Sequence, residues 1–295
     1  MTRIFTNTRP ATAGAFLMIF AGLLFALVNT IVQWGTMKMG LPPTRVAFWQ
    51  YLIATLWLAP WIVLKSPEAL RTKALPKHLL RVGCAVIGVQ LWVTGLAHVP
   101  IWQAIALIML SPFFVTVLAG LWLGEQVSAQ RWVAVVTGFV GGMMILAPWS
   151  DTFTPHALYP VGAAIFWGLT SLMTKQMSGT ESPATLTLYL LLLLTPINAG
   201  LALDAGLGFE GMTAGLLLIG AGLCTAIAQY ALARAYSIAD AAYLQPFDHL
   251  KLPFNVGLGL VVFGYAPPGS LWLGAALIVG ASFALMRQEA RLQTA

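Results

Sequence analysis

Charge is what this sequence has least of. Only 8% of its 295 residues are Asp, Glu, Lys or Arg, against about a quarter in an ordinary soluble domain. So few charges cannot cover a water-facing surface, which excludes a soluble enzyme and a nucleic-acid-binding module. Cysteine is nearly missing as well: Cys84 and Cys224 stand alone in apolar runs, with no disulfide framework and no metal-ligand spacing. A nucleotide-driven pump lacks its GxxxxGK(S/T) loop. An intramembrane hydrolase lacks HExxH, a GxSxG elbow and paired membrane aspartates. No TVGYG-like filter or ring of acidic residues marks a selective channel. The chain reads as a non-enzyme without a cofactor, bound metal, nucleic-acid partner or obligatory protein partner.

Apolar residues are abundant, at 59% of the chain with a mean hydropathy of +0.84. A helix crosses the hydrocarbon core with roughly 20 mainly apolar residues, and ten such runs occur. They cover residues 11–33, 44–64, 77–98, 100–123, 129–147, 155–176, 183–203, 211–234, 240–263 and 269–286. Turn formers separate several of them, as in Gly40-Leu41-Pro42-Pro43 and Ala266-Pro267-Pro268-Gly269. The runs are too long for barrel strands of about ten alternating residues. The first reads as a span, too long for a signal-peptide core.

The basic residues orient the chain. With the N-terminus inside, the inner side collects Arg3, Arg9, Lys65, Arg71, Lys73, Lys77, Arg81, Arg131, Lys175, Arg234, Arg287 and Arg291, whereas the outer side collects only Lys38 and Arg45. This positive-inside bias places both termini in the cytoplasm. The predicted partners are a lipid bilayer and a small molecule.

Two halves of five spans, 1–148 and 149–295, are expected. Gly124-Glu125 with Trp132 aligns with Gly264-Tyr265 with Trp272, and Pro112 and Pro246 both sit early in a fourth span. Five spans per half force the second copy to enter from the opposite side. That inverted repeat is a common transporter architecture, with the substrate held near mid-membrane.

The ninth span is the most polar. At 100° per residue, Gln245, Asp248, His249, Lys251, Leu252, Asn255 and Gly259 share an arc of about 160°. A charge at mid-membrane costs at least about 2.5–3.5 kcal/mol on insertion scales, and Asp248 and Lys251, three apart, can neutralise each other. Pro246 and Pro253 each free a backbone carbonyl one turn earlier. The pair is read as bordering a translocation cavity, against the alternative of a structural lock. Milder stripes lie elsewhere: Met18, Gly22, Phe25, Asn29 and Gln33; Gln90, Thr94 and His98, continued by Trp102 and Gln103; Trp167, Thr170, Ser171 and Thr174; Thr225, Gln229 and Tyr236. Any one of these serves as packing glue, but five spans supplying them point to a shared polar interior. Trp92, Trp102 and Trp167 lie within spans and either pack or stack on an aromatic or cationic solute. His98 and His249 are read as the intramembrane histidines. Asp248, the one carboxylate near mid-depth, leaves no multi-carboxylate proton relay. Gly138–Gly142 and Gly211–Gly215 are GxxxG matches that suggest close helix crossings.

Several stretches together resemble a known family. Pro100-Ile-Trp-Gln-Ala-Ile-Ala-Leu-Ile-Met-Leu-Ser-Pro112, Leu123-Gly-Glu-Gln-Val-Ser-Ala-Gln-Arg-Trp132 and the Gly138–Gly142 cluster are similar to the EamA-type repeat of the drug/metabolite transporter superfamily. So are Ala233-Arg-Ala-Tyr-Ser, Gln245-Pro-Phe-Asp-His-Leu-Lys-Leu-Pro-Phe254 and Leu273-Gly-Ala-Ala-Leu-Ile278. The resemblance implies an all-α integral membrane carrier of ten helices, two inverted five-helix repeats around a central cavity, in the bacterial inner membrane. Two positions depart from it: Tyr265 where the second repeat usually has Glu, and Gln50 where uptake relatives often have Arg, which disfavours a strongly anionic solute. The expected activity is export of amino acids or similar metabolites by alternating access, of the aromatic amino-acid exporter type. The alternatives are another organic solute (a cationic drug, vitamin or nucleoside-like metabolite) or a non-transporting scaffold. For a zwitterion, Lys251, Gln90 and Gln103 are candidate donors, and Asp248 and Asn255 candidate acceptors. Trp92, Trp102, Trp167 and Tyr243 are candidates to enclose an apolar side chain, with His98, Gln229 and Gln245 completing the candidate substrate contacts.

Overall fold

The computed structural model describes residues 8–122, 128–151, 153–177, 180–208, 211–238, 244 and 247–294, and among them all regular structure is helical. Helix α1 (Thr8–Gln33) runs into a π-helical turn, Trp34–Lys38. Gly40, at φ 68°, then reverses the chain. Helix α2 (Pro43–Lys65) has proline in its first turn, where a missing N–H costs nothing. It is followed by a 3₁₀ turn at Pro67–Leu70 and by α3 (Leu75–His98). Next come α4 (Ile101–Ile108), α5 (Ser111–Trp122) and α6 (Ala129–Leu146). The second half holds α7 (Leu158–Met177), α8 (Pro183–Leu201), α9 (Met212–Ile238), α10 (Lys251–Phe263) and α11 (Gly269–Thr294).

Among the described residues, eight segments are long and apolar enough to cross a membrane, one of them formed by α4 and the start of α5 together. The predicted ninth span contains a shorter apolar helix, Lys251–Phe263, and the tenth the apolar stretch Gly269–Ala284 of α11. The chain is an all-helical membrane protein. Its predicted fourth span is broken: α4 ends at Ile108, and α5 starts at Ser111 just ahead of Pro112. Proline disfavours helical backbone in the residue before it and offers no N–H to the previous turn. The local carbonyls are taken in shorter loops, Leu110 N donating to Leu107 O at 3.1 Å and Phe113 N to Leu110 O at 3.0 Å. Part of the ninth predicted span, residues 240–243 and 245–246, lies outside the described residues. The same holds for Gly124 and Glu125 of the repeat match.

Helix α1 packs on α9 and α10, α2 sits between α8 and α9, α3 packs on α7, and α6 on α11. Glycines set the closest approaches. Gly141 of α6 and Gly274 of α11 face each other, so a Cβ on either would lie 2.6–2.7 Å from the other's carbonyl oxygen. A Cβ on Gly88 of α3 would lie 2.4 Å from the indole of Trp167, and one on Gly95 2.9 Å from Pro160, both on α7. Of the predicted GxxxG pair, Gly138 and Gly142 instead receive Phe113 and Leu110.

Candidate functional site

The buried centre is built on asparagines. Asn255 of α10 is fully buried. Its Nδ2 donates to the carbonyl of Lys251 at 2.6 Å, and its Oδ1 accepts from Asn29 Nδ2 of α1 at 3.0 Å. Asn29 Oδ1 in turn accepts from the indole N–H of Trp92 on α3 at 3.2 Å. Donor and acceptor alternate along this relay through three helices, which is how amides survive in an apolar interior. Trp92 leans on Trp167 of α7, with ring centroids 5.7 Å apart, and Trp167 lies over Gly88 because only glycine leaves room there. Four segments therefore bring two indoles and two amides together, among them Trp92, Trp167 and Asn255 of the predicted site.

One turn below Asn255 along α10, Lys251 Nζ and Asp248 Oδ2 form an ion pair of 2.7 Å. The side chains are 29% and 27% exposed, so the pair borders open space, with Lys251 beside Gly22 of α1. The carbonyl that Pro253 frees, that of His249, is not left open: Leu252 N takes it at 3.1 Å. His249 packs against Phe283, and both its ring nitrogens are buried without a hydrogen-bond partner.

The other predicted residues are more dispersed. Gln90 turns away from Trp92 and donates to Asn198 Oδ1 of α8 at 2.6 Å. Gln103 donates at 3.4 Å to the carbonyl of Ile145 on α6. Trp102, Trp167 and Gln229 are half-buried, and their side-chain N–H groups donate to no acceptor among the described residues. His98 is not inside: it is exposed at the end of α3 and stacks on His156 at 4.3 Å. His78, earlier in the same helix, is the fully buried one. Tyr243 and Gln245 lie outside the described residues.

Sequence reasoning missed several polar contacts. Gln33, read only as a member of a stripe, clamps the α3–α4 corner. Its Nε2 donates to the carbonyls of Leu96 and Val99, and its Oε1 accepts from Ile101 N. Gln50 of α2 donates to Thr225 Oγ1 of α9 at 3.1 Å. Thr55 and Thr195 join α2 to α8 at 2.8 Å. Arg45, counted as a loop charge, is buried and donates to the carbonyls of Ala205 and Gly206 beyond α8. None of these pairings has a sequence signal, because each partner lies on a different helix. A cleft of 160 Å³ opens between the ends of α3 and α7, lined by Lys77, Leu80, Leu169, Leu172, Met173, Gln176 and Met177. It holds none of the predicted site residues, so the relay and the ion pair are the better candidates.

Comparison with known proteins fits this architecture. The chain is 54% identical over 291 residues to a riboflavin transporter of Rhizobium johnstonii, covering 98% of this chain and 96% of that one. It is 54% identical over 268 residues to a riboflavin transporter of Vibrio cholerae, covering 90% of each. A crystal structure 19% identical in sequence shares the fold, with a TM-score of 0.63 over 97% of this chain and 99% of that one. The two named relatives carry a vitamin in their names, which supports the alternative of a vitamin carrier better than the expectation of an aromatic amino-acid exporter. The model of the EamA-like transporter family matches residues 12–147 and again residues 155–287. The chain belongs to the EamA-like transporter family.

Proposed function

We propose that this protein carries riboflavin across the bacterial inner membrane by alternating access. The observation that carries the reading is the 54% identity to a riboflavin transporter over 98% of the chain. The site chemistry supports it. Riboflavin joins a flat tricyclic ring, with carbonyl acceptors and an imide N–H, to a polyhydroxylated chain. The tilted indoles of Trp92 and Trp167 offer such a ring a face, and the indole N–H of Trp167, which meets no acceptor among the described residues, suits a ring carbonyl. Asp248 and Lys251 suit hydroxyl groups as acceptor and donor. The solute is neutral, in keeping with Gln50 in place of a buried cation.

Ten spans in two inverted halves, 1–148 and 149–295, complete the proposal. The two separate family matches support it, as do the broken fourth span and the turn at His249–Leu250 between helical Asp248 and α10, because interrupted helices in corresponding positions mark the binding region of such carriers. The distribution of Lys and Arg supports cytoplasmic termini. Binding to purified protein tests the substrate. Riboflavin fluorescence should be quenched saturably on stacking against tryptophan, and free phenylalanine or tyrosine should not displace it. Absence of saturable quenching by folded protein overturns the reading.

A further inference from the structure

At the end of the bundle that carries Lys65, Arg71 and Lys73, polar side chains of both halves close on one another. Arg81, only 2% exposed, lies inside α3. Its Nη2 donates to the carbonyl of Leu186 on α8 at 2.7 Å, and its Nη1 to Thr174 Oγ1 of α7 at 3.3 Å. The same Nη2 meets His78 Nδ1 at 3.4 Å. His78 is fully buried and stacks on Tyr189 of α8 at 4.5 Å, whose hydroxyl donates to Leu70 O at 2.9 Å. The other ring nitrogen of His78 faces Glu181 Oε1 at 3.9 Å. Glu181, in the connection before α8, accepts from Thr72 Oγ1 at 2.5 Å. The chain of contacts thus ties the α2–α3 connection and α3 to α7, α8 and the connection between them.

Two features distinguish this cluster from a permanent lock. Arg81 reaches no carboxylate within ion-pair distance among the described residues; its partners are neutral. Arg81 Nε and His78 Nε2 are also buried without hydrogen bonds. A static buried cation is expected to sit on its counter-ion with every donor satisfied. Here a cation, an imidazole and a carboxylate are lined up a little too far apart, beside the end of the bundle where water would hydrate all three. Such an arrangement has two accessible forms, one closed by partial contacts and one opened to water, and a ligand can shift between them only if they are close in free energy.

We infer that the Arg81–His78–Glu181 chain is the gate at this end of the carrier, closed in the form seen here and parted when this end opens. The inference rests on the transport reading but not on which solute is carried. The opening step separates Glu181 and Thr72 from His78 and lifts Arg81 off the Leu186 carbonyl. On the orientation proposed above, this is the cytoplasmic gate.

Two measurements test it in the full chain with Cys84→Ala and Cys224→Ala. In the first, Thr72→Cys and Glu181→Cys are bridged by a short thiol-specific cross-linker, and riboflavin counterflow is followed in proteoliposomes. Bridging should lower flux about tenfold or more, and reductant should restore it. Flux within about twofold of the unbridged protein overturns the gate. The second needs no substrate. Leu186→Cys, buried behind the cluster, is labelled by a hydrophilic maleimide in nanodiscs with and without Glu181→Ala. The rate should rise at least about fivefold in the Glu181→Ala variant, while Leu194→Cys, deep in the same helix, stays protected and so reports an intact fold. An unchanged Leu186→Cys rate, or equal labelling of Leu194→Cys, overturns the inference. If riboflavin is not the solute, unbridged protein shows no flux, and the labelling arm alone decides.

Discussion

Gly88→Ala separates the packing of the site from its function. A Cβ at Gly88 would lie 2.4 Å from Trp167 Cδ1 and 2.7 Å from Nε1. Carbon atoms settle at about 3.5–4.0 Å, so the indole must retreat by about 1 Å. Its movement is restricted, because Trp92, one turn further along α3, also leans on it with ring centroids 5.7 Å apart and is itself held to Asn29 through its N–H. Overpacking of this kind costs about 1–3 kcal/mol. Gly83→Ala on the same helix is the control: nothing stands within 4 Å of a Cβ there, and alanine favours helix by up to about 1 kcal/mol. Thermal unfolding in detergent should give a lower midpoint for Gly88→Ala than for Gly83→Ala. An aromatic pair contributes about 0.5–1.5 kcal/mol beyond area, so loss of one ring face should weaken riboflavin binding roughly 2- to 13-fold, read by flavin quenching. Equal midpoints refute the close approach of α3 and α7. A lowered midpoint with unchanged affinity refutes contact between Trp167 and the flavin.

Asn255→Leu removes the acceptor of Asn29 inside the protein; the stranded donor should cost about 1–3 kcal/mol, seen as a lower unfolding midpoint, and transport should fall with it. Asp248→Asn or Lys251→Met alone leaves one half of the 2.7 Å pair without its counter-charge. The double variant should therefore recover membrane yield over either single variant yet remain without flux; flux in the double variant shows that the pair neither touches solute nor acts as an essential lock. Gly274→Ala places a methyl 2.7 Å from Gly141 O and should cost about 1–3 kcal/mol of stability, seen as a lower midpoint, without changing riboflavin affinity, because α6 and α11 pack on each other and supply no member of the relay.

Hydropathy made the membrane class and most helix positions legible, because a span needs length and apolarity and little else. It did not reveal the interruption between α4 and α5. Pro112 stood in plain view, but a proline in a long apolar run either kinks or breaks a helix according to what its neighbours take up, and here Leu110 and Phe113 close tight turns. The polar faces were readable and their partners were not. Gln90 and Trp92 lie two residues apart on α3, and the helix turns them to opposite sides, one to Asn198 on α8 and the other to Asn29 on α1. Arg81 read only as one of the inner-side basic residues, and His78 and Glu181 carried no signal, because burial between helices leaves no mark on local sequence. The pairing of Asp248 with Lys251 was legible, since three residues of spacing suffice to bring them together. The solute was not: a flat aromatic surface with scattered amides suits an aromatic amino acid and a flavin alike, and the proposal of a flavin rests on whole-chain similarity to riboflavin transporters.

The account turns on the solute, and counterflow measures it most directly. Proteoliposomes loaded with unlabelled riboflavin should accumulate external labelled riboflavin well above protein-free vesicles, saturably, and with no competition from phenylalanine, tyrosine or tryptophan. Folded, inserted protein that exchanges labelled amino acids but not riboflavin would contradict the account.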